Sequence, residues 1–599
     1  MRTSLRDRPT TSLLSDRFAW RELTLSTHKH VAHPSEARVL TCRPMLPGSA
    51  TPATDARRAA WDRLDRPLDL LVIGGGIVGA GVFSEAARRG FQVALVERRD
   101  FAWGTSSRSS KLVHGGMRYL RQGRLFSTLE AVRERERLLR ELPGLVAPLR
   151  FVAVARATRP TLRWELEVAS LAYAMGTLRW THRFHPPAEA QAMVPGLDPL
   201  GLVGAVAFDD ASTDDARLVL RVLAEGRRAG GVAINEVEAV ELHAAGGRVC
   251  GARVRDRLTG EERELRAGVV VNATGAQADG LRAKLGSAPR LRPLRGSHLV
   301  IPAQRLPVRH AVALHHVRDR RPIYVIPWQG VSLVGTTDLD HRAPLDQEPG
   351  ITGAEVDYLL AGLTAELPGL RLGPEDVMAT FSGVRGVLGT GGRPSAEARD
   401  HVMWDEQGLL TVASGKLTTF RRIGCQVLDH ARRVLPPPAA LSLAPAASDR
   451  PTSVEAVGTV HPATWARLVA SHGREAPAVL ACARPGELEG IAGAPVSWAE
   501  LRFAARAESV VHLDDLLLRR VRLGLLLPEG GRAVLGRVAA LCAEELGWDA
   551  ARWRREEADY LALCAARYSL PGAACGAASS GAAAKSAHSE PSADSPISG

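Results

Sequence analysis

Residues 69–97 read D-L-L-V-I-G-G-G-I-V-G-A-G-V-F-S-E-A-A-R-R-G-F-Q-V-A-L-V-E. The apolar run at 69–73 has the composition of a buried strand, and it stops at glycines. From Ile77 the pattern is that of a helix closed by Gly90, and F-Q-V-A-L-V-E at 91–97 is a second strand. The stretch therefore predicts one βαβ unit. Gly74, Gly76 and Gly79 fall between the first strand and the helix, with the spacing of a dinucleotide fingerprint. Glycine there permits a tight turn and lets backbone and helix N-terminus approach a pyrophosphate. Glu97 ends the second strand, placed to accept hydrogen bonds from a ribose. These residues set the fold class as α/β with a Rossmann-like domain.

Outward from this unit, V-V-V-N-A-T-G at 269–275 is another buried strand ending in a glycine turn. R-P-I-Y-V-I-P-W at 321–328 and V-S-L-V-G-T-T-D at 331–338 predict paired antiparallel strands around Gln329-Gly330. G-L-L-T-V-A-S-G-K at 408–416 is one more strand leading into a helix. Residues 1–66 show no sustained period and are expected to be disordered, with translation expected to start at Met45. The Pro/Ala-rich linker at 436–449 separates residues 67–435 from a helical region at 450–570. Two segments of that region, W-A-E-L-R-F-A-A-R-A-E and L-D-D-L-L-L-R-R-V-R-L-G-L-L-L, have helical spacing, and residues 571–599 read as a disordered tail.

The 599 residues carry a net charge of +12, which suits an anionic partner: nucleic acid, an anionic membrane surface or an acidic substrate. Residues 1–66 hold twelve Lys/Arg and seven Asp/Glu, so +5 of that charge lies there. The rest has no Lys/Arg-rich run, which argues against nucleic acid. Seven scattered cysteines without a C-x-x-C pair support neither a zinc knuckle nor a dithiol motif, and fit a reducing cytoplasm. No apolar run approaches the ~20 residues needed to span a bilayer. The start of the chain lacks the apolar core of a secretory signal, so the chain reads as cytoplasmic and able to touch a membrane from that side.

Basic residues are mostly arginine; only five are lysines, and two of these stand in glycine-rich turns. Lys111, His114, Arg118 and Tyr119 fall within S-S-R-S-S-K-L-V-H-G-G-M-R-Y-L at 106–120. Such a set suits a small-anion pocket, and equally a solvated helix face. For the dinucleotide, NAD needs little beyond the fingerprint domain. The returns of V-V-N-A-T-G and A-S-G-K-L-T-T-F far along the chain suit the longer FAD.

The stretches G-G-G-I-V-G-A-G, T-S-S-R-S-S-K-L-V-H-G-G-M-R-Y-L, D-D-A-R-L-V-L, V-N-A-T-G, R-G-S-H-L-V-I-P, V-I-P-W, G-T-T-D, F-S-G-V-R and S-G-K-L-T-T-F occur in that order. Together they resemble the FAD-dependent glycerol-3-phosphate dehydrogenase family of the bacterial aerobic type, over residues 67–435. The helical region at 450–570 is similar to that family's C-terminal cap. The resemblance implies an FAD domain, an interleaved antiparallel substrate domain and an all-α C-terminal domain. It implies oxidation of sn-glycerol 3-phosphate to dihydroxyacetone phosphate, with electrons passed to a membrane quinone by a peripherally attached enzyme.

By the same resemblance Arg118 and Arg385 would bind the phosphate, with Arg399 a further basic position and Tyr119 a further donor. His114 is the candidate base, or only a hydrogen-bond partner of the cofactor. Lys416 would supply a cation beside the flavin. FAD contacts are expected from Thr105, Ser106, Ser107, Ser110, Lys111, Ala273, Thr274, Gly275, Gly415, Leu417 and Thr418. Lys111 would position the flavin, and His298 would face the site or support its strand. The chain departs from the family pattern at Ser212, Thr213, Gly386, Ser414 and Phe420, all uncharged. No D-x-[DN]-x-[DN]-G loop stands in the sequence, so calcium control is not expected. Alternatives are an oxidase of the same fold that yields hydrogen peroxide, an enzyme for another 2-hydroxy acid or amine, or a non-catalytic flavin-binding protein. Retention of Arg118, Arg385 and Lys416 together argues against the last.

Overall fold

The first sheet is built around β1 (Leu68–Ile73), whose Leu70, Leu71 and Val72 are buried on both faces as a central parallel strand requires. The computed structural model describes residues 53–115, 125–158, 182–389, 391–392, 394, 397, 400–435 and 460–572. Across the sheet the strands run Val402–Glu406, Leu409–Ala413, Glu262–Asn272, β1, β2 (Val93–Val96) and Val232–Ile234. Along this row neighbours pair in parallel except the antiparallel edge Val402–Glu406, and Arg248–Asp256 and Val237–Ala245 add two antiparallel strands beside Glu262–Asn272. β1 is the switch point, since the chain leaves it for β2 on one side and returns much later on the other. Ile73 is in register with both Val96 and Asn272, so three carboxyl ends meet at one crevice, the place where open α/β sheets bind ligands.

α2 (Ile77–Arg88) crosses from β1 to β2 and is buried along most of its length. A Cβ on its Gly81 would lie 2.8 Å from the carbonyl oxygen of Phe420, so α2 and the helix Phe420–Ala431 touch backbone to backbone. The opposite face of the sheet packs on Trp61 and Leu64. This corrects the expectation of disorder through residue 66. α1 (Ala53–Asp62) and the turn Arg63–Asp65 are ordered because their two apolar side chains complete that face. Residues 1–52, 436–459 and 573–599, where most of the expected extension, the linker and nearly all of the tail fall, lie outside the described residues.

The second sheet has ten strands among the described residues, interleaved in sequence with the first. Towards one edge Leu291–Pro302 is flanked by Val331–Gly335 and Ala379–Leu388, and the hairpin at Gln329-Gly330 forms as expected. Pairing is antiparallel but for one parallel contact between Ala311–His315 and Val146–Arg156. The helix Gly353–Glu366 covers one face.

Beyond residue 460 the described elements are helical, including Trp498–Ala507, a π-helix at Asp515–Arg520, Leu523–Leu526 and Ala550–Leu563. Their apolar side chains share one core with the second sheet: Leu516, Leu523, Tyr560 and Tyr568 join Phe151, Trp328 and Phe381.

Candidate functional site

The glycine turn after β1 has the geometry its spacing predicts. Gly74 has a φ of +113°, a region that favours glycine, and its N–H donates to Val96 O at 2.9 Å. A Cβ on Gly79 would lie 1.9 Å from Gly74 O, so only glycine lets α2 come so near the strand end. Gly76 is the N-cap of α2 and has no side chain to cap it; Ser106 Oγ accepts the Ile77 N–H at 3.0 Å. Glu97 accepts Gly75 N–H at 2.7 Å and Arg99 N–H at 2.8 Å. Burial nevertheless pushes its carboxyl above the usual range, outweighing those two bonds. A helix N-terminus cradled by small residues, with a carboxylate at the end of the next strand, fits the diphosphate and ribose of FAD.

The other expected cofactor segments reach the same crevice. Ala273 N–H donates to Ile73 O at 2.8 Å, Gly275 has a φ of +64°, and buried Asn272 accepts Thr274 Oγ1–H at 2.7 Å. Gly415 lies against α2, where an added Cβ would meet Val78 Cγ2 at 2.2 Å, and Leu417 packs on the same core.

Three motifs distant in sequence are tied together here. Thr105 Oγ1 donates to Val384 O, beside Arg385. Ser414 Oγ donates to Gly386 O at 2.7 Å, on the other side of Arg385. Thr418 Oγ1 donates to His114 O at 3.3 Å. These bonds fix the strand end that carries Arg385, the turn that carries Lys416 and the segment that carries His114 as one unit. Arg385 Nη2 lies 3.5 Å from Asp338 Oδ1, and Lys416 Nζ lies 2.7 Å from Asp400 Oδ1. Gly115 N–H donates at 3.0 Å to Asp210, whose carboxyl burial pushes up to about 7 despite Arg135 at 3.1 Å. Arg118, Tyr119 and Arg399 lie outside the described residues.

His298 stacks on Phe381 with ring centroids 4.6 Å apart, and its Nε2 meets Ser110 Oγ at 2.8 Å. Burial, with Lys111 and Arg385 nearby, lowers its pKa to about 3, so it is a neutral ring that supports Ser110. Lys111 is fully buried with a φ of +59°. Its ammonium donates to Ser107 O at 2.7 Å and Asp215 Oδ2 at 2.9 Å, beneath the segment that carries it. The Ser107 side chain is likewise turned inward, towards Gly104 O.

The sequence reading passed over the partners of these groups. Asp215 also accepts Ser109 N–H at 2.9 Å and Ser109 Oγ–H at 2.7 Å. Arg522, from the C-terminal region, reaches both Asp214 and Asp215. Arg519 and Arg520 both bind Asp100, which follows β2. The available signal was R-R-V-R inside an otherwise apolar run, since buried arginines need carboxylates.

Residues 69–419 match the FAD dependent oxidoreductase family, and residues 442–553 match the C-terminal domain of alpha-glycerophosphate oxidase. The chain is 36% identical over 533 residues to glycerol-3-phosphate dehydrogenase 2 of Mycobacterium bovis, covering 84% of this chain and 90% of that protein. It is 34% identical over 371 residues to aerobic glycerol-3-phosphate dehydrogenase of Staphylococcus haemolyticus, covering 60% of this chain and 66% of that one. The solved glycerol-3-phosphate dehydrogenase of Bacillus halodurans, complexed with FAD, aligns with a TM-score of 0.70 at 26% identity. That alignment covers 86% of this chain and 98% of the solved one.

Proposed function

The chain belongs to the FAD-dependent glycerol-3-phosphate dehydrogenase family, and on that premise we propose that it oxidises sn-glycerol 3-phosphate to dihydroxyacetone phosphate and delivers the electrons to a membrane quinone. The observation that carries this reading is the joining of the Thr105, His114, Arg385 and Lys416 segments by hydrogen bonds through Val384 O, Gly386 O and His114 O. Three motifs far apart in sequence meet where a cofactor and an anionic substrate would have to meet.

Gly74, Gly76, Gly79, Ser106 and Glu97 would hold the diphosphate and ribose of FAD. Ala273, Thr274, Gly275, Gly415, Leu417 and Thr418 would line its path. FAD supplies the acceptor for the hydride that leaves C2 of the substrate. Arg385 and Arg118 bind the phosphate, with Tyr119 and Arg399 adding a donor and a further cation. His114 takes the proton from the C2 hydroxyl. Lys416 stabilises negative charge that builds up on the cofactor side, and Asp400 fixes its ammonium in place. Lys111 contributes through its segment, since its own ammonium is turned to Asp215.

The net charge of +12 supports attachment to an anionic membrane surface from the cytoplasmic side. No helix among the described residues is long and apolar enough to cross a membrane. An oxidase that yields hydrogen peroxide is the second reading, favoured by the description of the matched C-terminal domain. Anaerobic mixing with glycerol 3-phosphate should bleach the flavin absorbance, and a ubiquinone or menaquinone analogue should restore it faster than oxygen does. No bleaching would refute the reaction. Faster recovery with oxygen, with peroxide formed and activity fully soluble at low salt, would favour the oxidase.

A further inference from the structure

The site segment 107–111 meets the C-terminal helical region at two places: Arg108 Nη2 lies 3.3 Å from Tyr568 Oη, and Arg522 reaches the segment's backbone and the carboxylates beneath it. The guanidinium of Arg522 is buried, and it donates to Asp214 from Nε at 3.1 Å and from Nη2 at 2.9 Å. Nη2 also bonds Asp215 Oδ1. Nη1 reaches Leu518 O at 2.7 Å and Ser107 O at 3.3 Å. The other oxygen of Asp215 is taken by Ser109 N–H, Ser109 Oγ–H and Lys111 Nζ. Every bond from Arg522 except that to Leu518 therefore ends on the 107–111 segment or on the carboxylates beneath it. Arg522 itself has a φ of +60° and stands two residues after the end of the π-helix, a backbone form often found at functional sites. An arginine fork can fix two carboxylates and a carbonyl in orientation, which a lysine point charge cannot.

We propose that Arg522 is a positioning residue for the oxidation: acting through Asp215 and Ser107 O, it sets the place of Ser110 and of His114 relative to the strand end that carries Arg385. The C-terminal region is then part of the site's machinery rather than a cover on it. This inference rests on the reaction assigned above.

The test compares Arg522→Lys with Arg502→Lys in the full-length, flavin-loaded protein. Arg502 is an equally buried arginine of the same region, paired to Glu487 and Glu545 and remote in its contacts from 107–111. Both variants should lower Tm. Only Arg522→Lys should lower kcat, by of order ten- to a hundredfold, with a smaller change in KM, because a displaced segment misorients groups that act on C2. Amide hydrogen exchange across 105–115 should rise in Arg522→Lys and stay at the wild-type level in Arg502→Lys. In the double variant Arg522→Lys, Asp215→Asn the loss should not exceed that of the worse single variant. Equal kcat loss in both lysine variants, multiplicative losses in the double variant, or unchanged exchange at 105–115 would overturn the proposal. If Arg522→Lys does not fold, Ser109→Ala, which removes one bond of the same chain, must lower kcat at unchanged Tm or the proposal fails. Wild-type flavin that glycerol 3-phosphate does not bleach would sink the assigned reaction instead, while the exchange result still reports on the anchor.

Discussion

Lys111 Nζ lies 2.9 Å from Asp215 Oδ2, and neither side chain has any exposed surface. Burial lowers the lysine to about 8, below its ordinary 10.5, although Asp215 pulls the other way and Arg522 adds to the depression. A lysine lowered in the folded state works against folding wherever it is charged, and that cost disappears as it loses its proton. Between pH 8 and 10.5 the unfolded chain holds the proton that the folded chain has released, so this group makes stability rise with pH. The full shift corresponds to about 3 kcal/mol. Unfolding free energies of wild type and Lys111→Met, measured from pH 7 to 10.5, should differ increasingly in favour of wild type. A pH-independent difference would show that the lysine does not titrate in this window.

Arg385 and Lys416 should separate by substrate. Arg385→Ala removes a charge-assisted contact to the phosphate, worth about 1.5–3 kcal/mol, so kcat/KM for glycerol 3-phosphate should fall roughly 10- to 150-fold. Both kcat and KM should suffer, because binding energy remote from C2 also orients it. Glycerol lacks the phosphate and should lose far less. Lys416→Ala should slow flavin reduction by both. Equal losses on the two substrates in Arg385→Ala would remove it from the phosphate site.

Two glycines of the fingerprint should fail in different ways. A methyl on Gly79 would sit 1.9 Å from Gly74 O, a backbone atom that cannot step aside, so Gly79→Ala should cost about 3 kcal/mol or more and depress Tm even without flavin. A methyl on Gly76 meets only Ser106 Oγ, at 3.1 Å. Gly76→Ala should therefore keep the apoprotein Tm within about 2 °C and lose flavin instead. Differential scanning calorimetry with flavin absorbance distinguishes the two, and a normal apoprotein Tm for Gly79→Ala would contradict the packing.

Trp61 is a stability residue outside the chemistry. It is buried under the first sheet, and Arg263 lies over its ring with the guanidinium carbon 4.8 Å from the ring centroid. Trp61→Ala should cost about 3–5 kcal/mol with kcat unchanged. A chain shortened to begin at Met45 keeps α1 and should match the full chain in Tm, whereas one beginning at Arg66 should resemble Trp61→Ala or worse.

Much of the nucleotide half was legible because its signals are local. A buried run, glycines at fixed spacing and an acid at a strand end each act within about 30 residues. α1 was missed because a ten-residue helix with one tryptophan and no leucine run shows little period by itself; the sheet face that orders it is built largely from residues after 90. Arg522 was missed for a related reason. An arginine reads as surface by default, and the carboxylates that reverse this for Arg522 are 307 and 308 residues earlier. Lys111 was legible as part of the 106–120 stretch, yet which way its ammonium turns depends on Asp215, over a hundred residues on.

The strand order has a consequence for synthesis at the ribosome. β1 emerges early, but its neighbour Glu262–Asn272 follows by about two hundred residues, and the helix that seats on Gly81 starts only at Phe420. The second sheet waits longer still, because Phe151, Trp328 and Phe381 are covered by side chains from Leu516 to Tyr568. Pairings this distant close slowly and leave apolar faces open in the meantime. A nascent chain halted before about residue 570 would present that bare face to chaperones and proteases, so the last helices decide whether anything made before them survives.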